Sequence, residues 1–211
     1  MNDLEAIKSD LEVISSNYIN AYRSWAVYSK AVKDFEVKDQ QILCQKIANK
    51  DEKVKLEQRR LFMPDPIAYS YTHIKVMALE HCIACIARIF DTGPDCINIR
   101  AAKNNLSAMY DSEKPDEFMT LSQHIKKAQK SYEAANILEI RNHALSHSLR
   151  QPSDKANTSV GKVIKILDEI RPAITLFHSL LEEKVMSLEL FQTDTLISAQ
   201  AFWSTFENGL E

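Results

Sequence analysis

Residues 4–35 read LEAIKSDLEVISSNYINAYRSWAVYSKAVKDF, and apolar or small side chains recur along this stretch at alternating steps of three and four residues. The positions that share the stripe are Leu4, Ile7, Leu11, Ile14, Tyr18, Ala21, Trp25, Tyr28, Val32 and Phe35. Steps of this size place side chains on one face of an α-helix, so the pattern predicts a helix about 45 to 50 Å long. An apolar stripe of this length must be buried against long antiparallel helices or against a partner chain.

Helical periodicity also covers the rest of the chain, and prolines or polar turns separate the segments. The segments are residues 38–60, 67–91, about 95–109, the stretch from Pro115 to Leu138, residues 157–184 with a kink or restart at Pro172, and residues 188–206. They predict an all-α protein, an elongated up-and-down helical bundle with extra N- and C-terminal helices. We expect one helical domain over 1–211, made of an N-terminal helical hairpin (1–62), a core (65–186) and a C-terminal helix (187–211).

Glycine is scarce in the sequence, and this scarcity excludes several kinds of ligand site. The 211 residues contain three glycines, about 1.4% of the chain, against roughly 7% in an average soluble protein. Neither a phosphate-binding P-loop nor a dinucleotide-binding fingerprint can be built from Gly93, Gly161 and Gly209. If the protein binds phosphate, side chains on helices must therefore bind it.

The formal net charge of −3 argues against a nucleic-acid-binding protein until its distribution is considered. Residues 120–165 carry eight Lys and Arg against three Asp and Glu, whereas residues 166–211 carry two against eight. A basic middle segment beside an acidic C-terminal segment can attract a polyanion locally. Ordinary solvated helix faces remain an alternative interpretation of the same charges.

Targeting signals and cysteine usage favour a cytoplasmic location. Residues 1–10 lack the basic and then apolar order of a secretory signal. The most apolar stretch, residues 67–90, is interrupted by charged residues and histidines, so we expect no membrane span. Two of the four cysteines lie inside that stretch, which is typical of reduced core thiols rather than of a disulfide framework.

Residues 141–147, RNHALSH, place an arginine, an amide and two imidazoles within seven residues. On an ideal helical wheel Leu138, Leu145 and Leu149 form an apolar stripe with Asn142 beside it. His143, His147 and Arg150 fall on the opposite side within about 60° of one another, and Arg141 lies about 120° from His147. Either the helix loosens here, or a second chain completes the site.

Such a set of side chains suits the cleavage of RNA by its own 2′-hydroxyl. That reaction needs a base for the hydroxyl, an acid for the leaving 5′-oxygen and a cation for the charge that develops on the phosphate. Histidine titrates near neutral pH, and arginine matches phosphate oxygens with a rigid fork, so no metal ion or other cofactor is required. From the residues alone it stays open whether His143 and His147 are surface histidines and Arg141 pairs with Glu139 or a neighbour.

Two motifs resemble the HEPN superfamily, the higher-eukaryote and prokaryote nucleotide-binding domains. Arg141 and Asn142, followed by four residues and His147, are similar to its signature of an arginine, a polar residue, a spacer and a histidine late in an all-helical chain. Residues 83–91, IACIARIFD, resemble the end of the central helix in its abortive-infection branch. With the order of helices, the similarity extends over about residues 67–184.

The resemblance implies a metal-independent endoribonuclease of the toxin or phage-defence type, acting as a homodimer and leaving 2′,3′-cyclic phosphate ends. By the same resemblance His147 transfers protons, Arg141 binds and stabilises phosphate, and Asn142 positions the RNA. Accessory candidates are His143, Arg150 and Asp91. The resemblance also allows an antitoxin protein as a partner.

The basic middle segment supplies candidates for RNA binding outside the motif. They are Lys126, Lys127, Lys130 and Lys155. Because RNA binding is largely neutralisation of phosphate charge, we expect affinity for RNA to fall steeply with salt.

Three alternatives stay open beside the ribonuclease. His81, Cys82 and Cys85, with Cys96 nearby in sequence, resemble part of a zinc site, although zinc needs four convergent ligands and we expect no metal. The chain could be a catalytically inactive HEPN protein that binds nucleic acid or a partner. It could also be a structural helical protein that binds its partner through the stripe of residues 4–35.

Overall fold

The fold consists of helices throughout the part of the chain that the structure describes. The computed structural model describes residues 3–46, 66–93, 96–110, 113–146, 160–182 and 188–208. Its helices within these ranges are α1 (Asp3–Lys46), α2 (Pro66–Phe90), α3 (Ile99–Tyr110), α4 (Pro115–Ala134), α5 (Ile137–Ser146), α6 (Val160–Leu180) and α7 (Leu188–Asn208). No strand occurs among these residues, so the predicted all-α bundle is confirmed.

Helix α1 forms the spine of the bundle and contacts α2, α3, α6 and α7. Its predicted stripe is the buried face, and Leu11, Ile14, Tyr18 and Ala21 are fully inaccessible to solvent. The helices that cover this face come from the same chain. The described part of the stripe therefore needs no partner chain to bury it.

The predicted start of a separate helix at about Lys38 is wrong, because α1 continues without interruption to Lys46. Residues 36–46 are mostly polar, but they contain neither glycine nor proline. The apolar stripe ends at Phe35, so the following turns have no continuous apolar face to bury. The helix itself continues, because these residues are compatible with helical backbone. The rest of that predicted segment, residues 47–60, lies outside the described residues.

Helix α2 is buried mainly in its C-terminal part, where seven of the nine residues from Cys82 to Phe90 are buried. Cys82, Ile86 and Ile89 lie in the core, whereas Val76 and Met77 are 44% and 54% exposed. The centre of the bundle therefore receives the part of this helix from Cys82 onward, while the turn around Val76 faces solvent. None of the described helices combines the length and apolar character that a membrane-spanning segment needs.

The C-terminal helix α7 packs directly on α1. Trp203 Nε1 donates a hydrogen bond to the Val27 carbonyl oxygen at 2.9 Å, and the Trp203 side chain is buried. Nearer the start of α7, Gln192 Nε2 donates to the Tyr18 hydroxyl at 3.0 Å. The contact nearer the N-terminus of α1 is also nearer the N-terminus of α7, so the two helices run parallel. Helix α7 therefore belongs to the same bundle.

Helix α6 passes through Pro172 as one helix and does not restart there. Its apolar residues Ile166, Ile170 and Phe177 are fully buried. Proline removes one backbone donor, but packing of this face against α1 and α4 holds the helix together.

Candidate active site

A break between α4 and α5 sets the direction of the segment that carries Arg141. The Ala135 amide donates to the Ser131 carbonyl and the Asn136 amide to the Glu133 carbonyl, each at 3.0 Å. Asn136 has a φ of 58°, a left-handed conformation that asparagine tolerates better than most residues. Its side-chain amide also donates to Glu139, at the third position of α5. These bonds end α4 and start α5 in a new direction.

The break corrects the predicted apolar stripe at Leu138. Ile137 and Ile140 are the buried residues of α5, whereas Leu138 is 46% exposed. The predicted helix from Pro115 to Leu138 assumed no break, and the left-handed residue at Asn136 rotates the faces that follow it. Asn142, one turn after Leu138, is also exposed.

Asp91 directly follows the last residue of α2 and faces the start of the motif. The Gly93 amide lies 3.4 Å from Asp91 Oδ1, within the short loop after the helix. The neighbouring Phe90 ring packs on the Tyr132 ring of α4, with 4.7 Å between the ring centroids. This aromatic contact fixes the end of α2 next to the end of α4, where α5 begins.

Arg141 joins these elements through a short ion pair with Asp91. Arg141 Nη1 donates to Asp91 Oδ2 at 2.6 Å, and its side chain and that of Asp91 are 22% and 27% exposed. Arg141 Nε and Nη2 donate to Asn142 Oδ1 at 3.3 and 3.2 Å. The structure therefore brings together three predicted site residues, Arg141, Asn142 and Asp91.

The electrostatics of this corner follow from the ion pair. The hydrogen bond from Arg141 lowers the pKa of the Asp91 carboxyl below its ordinary value. Burial raises the pKa of the Tyr132 hydroxyl, and the positive charge of Arg141 partly opposes that rise. Asp91 is thus ionised at neutral pH, and the ion pair holds both side chains in place at the protein surface.

Sequence reasoning missed the pairing and its support. It considered Glu139 or a neighbour as the partner of Arg141, whereas the observed partner lies fifty positions earlier. The available signal was the acidic residue that ends IACIARIFD, a motif quoted beside the arginine motif. Tyr132 carried only a helical pattern, whereas Asn136 followed by Glu139 carried a helix-start signal that the sequence reasoning did not use.

Two predicted motif residues, His147 and Arg150, lie outside the described residues. The backbone of His143 belongs to α5, but its side chain is also outside them. The roles of all three therefore stay predictions.

Three of the predicted RNA-binding lysines lie on the solvent side of α4. Lys126, Lys127 and Lys130 are exposed, and Lys155 falls outside the described residues. Lys127 Nζ is 3.8 Å from Glu169 Oε1 of α6, a loose ion pair with a 70% exposed lysine. The predicted basic surface is therefore accessible along α4.

The alternative zinc site does not form among the described side chains. Cys85 Sγ lies 3.7 Å from His81 Nε2, and His81 Nδ1 lies 2.8 Å from Ser24 Oγ. Cys82 instead is buried in the core, where burial raises the pKa of its thiol. Across the described residues, no three His, Cys, Asp or Glu side chains converge as metal ligands do. Cys82 and Cys85 are buried free thiols, as predicted, while Cys96 is exposed.

Comparison with known families agrees with the two motifs and the helical architecture. The model of a HEPN family, AbiU2, matches residues 5–202, nearly the whole chain. Comparisons with curated proteins and with solved structures returned no match. The matched range includes α1 to α6, most of α7, and both motifs around Asp91 and Arg141. The chain therefore belongs to the AbiU2 family of HEPN domains.

Proposed function

We propose that this protein is a metal-independent endoribonuclease that acts at a dimer interface as a toxin or phage-defence enzyme in the cytoplasm. The observation that carries the proposal is the Arg141 guanidinium, held at the surface by Asp91 and flanked by Asn142. A fixed, partly exposed guanidinium is the preorganised cation that a developing phosphate charge requires. The abortive-infection character of the family supports the biological context.

In the proposed reaction the 2′-oxygen of one nucleotide attacks the adjacent phosphorus, and the bond to the 5′-oxygen breaks. A base takes the proton of the 2′-hydroxyl, and an acid gives a proton to the leaving 5′-oxygen. His147 is assigned these transfers, while Arg141 stabilises the charge on the phosphate oxygens and Asn142 positions the RNA. The products end in a 2′,3′-cyclic phosphate and a 5′-hydroxyl.

The hydrogen bonds of Arg141 leave capacity for a phosphate. A guanidinium has five N–H donors, and three are used by Asp91 and Asn142 within the described part of the chain. The two that remain can form the paired hydrogen bonds that arginine makes with phosphate oxygens. Asp91 is therefore assigned a positioning role, because it orients Arg141 without occupying its whole fork.

The exposed face of α5 supports a homodimer. Leu138 is 46% exposed and Asn142 is exposed on the same side of the helix. In the sequence Leu145 continues this face at helical spacing. A two-fold axis beside this face would bring a second motif to the first, and Arg141 of one protomer could then act with a histidine of its partner.

Cleavage of RNA by purified protein in the presence of a chelator tests the proposal. We expect 2′,3′-cyclic phosphate products from the wild type, and a loss of roughly 10²- to 10³-fold in rate for Arg141→Ala and for His147→Ala. Arg100→Ala, which removes an exposed arginine of α3, is the matched control and should cleave like the wild type. Equal rates in all four proteins would indicate a contaminating nuclease and would contradict the proposal.

The same experiment distinguishes the ribonuclease from a catalytically inactive HEPN protein. The hydrogen bonds of Arg141 to Asp91 and Asn142 of its own chain are also what a structural arginine would show, so a non-cleaving HEPN protein is the second candidate. Such a protein would bind RNA or a partner but give no products under any condition. A partner-binding role for the stripe on α1 is not favoured, because its described residues from Ile7 to Trp25 are buried within the chain.

A further inference from the structure

A groove between α4 and α6 combines basic, acidic and apolar side chains away from the motif. Its α4 wall includes His124 and Lys127, and its α6 wall includes Lys165, Asp168 and Glu169. Ile164 and Pro172 contribute apolar surface to the same groove. Two lysines and two carboxylates line it together, so the groove suits a ligand that has both hydrogen-bond donors and a negative charge.

The carboxylate of Glu169 lacks the donors that a buried carboxylate needs. The side chain is only 9% exposed, and its Oε2 atom is buried without a hydrogen-bond partner among the described residues. Its other oxygen is 3.8 Å from Lys127 Nζ, beyond hydrogen-bond range. Buried acceptors without donors are rare and destabilising, which points to a donor that a ligand supplies. Because Oε2 is closed to solvent, a ligand can reach it only when a neighbouring side chain moves aside.

Pro172, which lines the groove, leaves one backbone acceptor of α6 without its helical donor. Proline has no backbone N–H, so it cannot donate the usual helical bond to the carbonyl oxygen of Asp168, four residues earlier. The Asp168 carboxylate lies at the same place on α6, next to Glu169. The α6 wall therefore presents several acceptors that repel a phosphate and attract N–H groups.

Lys127 and Lys165 favour one of two kinds of ligand that could donate hydrogen bonds to Glu169. A guanidinium from a protein partner would satisfy Glu169, but it would approach the ammonium groups of Lys127 and Lys165, which line the same groove. A nucleotide presents N–H groups on its base and a negative charge on its phosphate. Charge complementarity therefore favours a nucleotide, with its base toward Glu169 and its phosphates toward Lys127 and Lys165.

The pattern of acceptors also selects among the bases. Guanine carries two adjacent N–H donors on its Watson–Crick edge, and these match the two oxygens of one carboxylate. Adenine and cytosine place a ring acceptor beside their amino group, and uracil places its single N–H between two carbonyl oxygens, so each would face the carboxylate with like partial charge. Single-stranded RNA exposes such edges, and unstacked bases pack on flat side chains such as histidine.

We infer that the groove between α4 and α6 binds an unstacked guanine of single-stranded RNA, with Glu169 accepting from the base and Lys127 and Lys165 near the flanking phosphates. The ligand displaces the exposed Lys127 ammonium from Glu169, and that ammonium then faces a phosphate. The inference rests on the proposed function in taking RNA as the substrate. It adds a base preference that the Arg141 site does not provide.

Binding of the four nucleoside 5′-monophosphates to the full chain at low salt tests this inference, by titration calorimetry. We expect guanosine monophosphate to bind at least tenfold more tightly than each of the other three. In Glu169→Gln, which leaves one acceptor and adds a donor, we expect this preference to fall by about tenfold. Glu117→Gln makes the same charge change on an exposed residue of α4 outside the groove and should keep the preference.

Three results would overturn the inference. The first is equal binding of the four nucleotides by the wild type, which needs no variant to fold. The second is a Glu169→Gln protein that binds all four more tightly, since the carboxylate would then only repel phosphate. The third is tighter binding of arginine amide than of guanosine monophosphate, which would assign the groove to a protein partner.

These measurements do not depend on cleavage. Selective binding of guanosine monophosphate without chelator-resistant cleavage would support the guanine site in the groove and contradict the ribonuclease proposal. Cleavage that depends on Arg141, with no guanine preference in binding, would support the ribonuclease proposal and contradict the guanine site.

Discussion

Two regions of the molecule are stabilised in different ways. One is the face of α1 that packs against α2, α6 and α7, and the other is the corner where α5 meets the end of α2. On α1, successive apolar residues such as Leu11 and Ile14 are fully buried over several turns. At the corner, a single ion pair of Arg141 with Asp91 and a left-handed residue at Asn136 set the geometry while the side chains stay partly exposed. The first region supplies stability, and the second leaves charged groups accessible for chemistry.

The largest loss of stability is expected for a substitution in the buried face of α1. Replacement of Leu11 by Ala should lower the free energy of unfolding by about 2 to 5 kcal/mol, because it removes a fully buried side chain and leaves a cavity. Denaturant unfolding followed by circular dichroism measures this loss. Glu12→Ala, at the next and exposed position, is the control and should stay within about 0.5 kcal/mol of the wild type. Equal losses at the two positions would contradict the assignment of α1 as the spine.

A smaller loss is expected when the ion pair is broken. Asp91→Ala leaves Arg141 partly buried without its carboxylate, and we expect roughly 1 to 2 kcal/mol of destabilisation at pH 7. The side chains on both sides of the pair are about a quarter exposed, so solvent screening keeps the loss below that of a fully buried pair. The same denaturant experiment measures it.

The pH dependence distinguishes this pair from simple packing. The pKa of Asp91 is lowered in the folded protein, so its stabilisation is fully present above the ordinary value of 3.8 and is lost as the pH falls through the lower folded value. The difference in stability between the wild type and Asp91→Asn should therefore be constant from pH 7 to about pH 5 and should shrink below pH 4. A difference that does not change down to pH 3 would show that the charge of Asp91 contributes nothing.

The smallest effect is expected at the break between α4 and α5. Asn136→Ala should cost about 1 kcal/mol, because alanine tolerates a φ of 58° less well than asparagine and the bond to Glu139 is lost. Asn136→Gly keeps the backbone conformation available and should cost less. Thermal unfolding of both variants checks the order, and an Asn136→Gly protein less stable than Asn136→Ala would contradict the left-handed assignment.

The same contrast explains what could be predicted from the sequence. The stripe on α1 is a local pattern, repeated every three or four residues, and its burial follows directly from helix geometry. The partner of Arg141 is fifty positions away, and no local pattern specifies which carboxylate a guanidinium will meet. The family motifs identified both residues, but only the packing of Phe90 on Tyr132 explains why they lie together.

The break at Asn136 was missed for a different physical reason. The apolar spacing from Phe118 to Ala135 continues formally to Leu138, so periodicity alone favours one long helix. An asparagine followed three residues later by a glutamate is a signal for the start of a new helix, and Asn136 with Glu139 has that form. Weighing this signal against the periodicity would have placed Leu138 on the exposed face.

Mixed dimers test the central claim, a ribonuclease site that Arg141 of one protomer and His147 of its partner complete. Arg141→Ala and His147→Ala proteins are purified separately, mixed under conditions that exchange protomers, and assayed for 2′,3′-cyclic phosphate products in chelator. Each parent alone should be inactive, whereas each mixed dimer contains one site with both residues intact and should recover up to about half of the wild-type rate. Mixed dimers that form but stay as inactive as both parents would contradict the account.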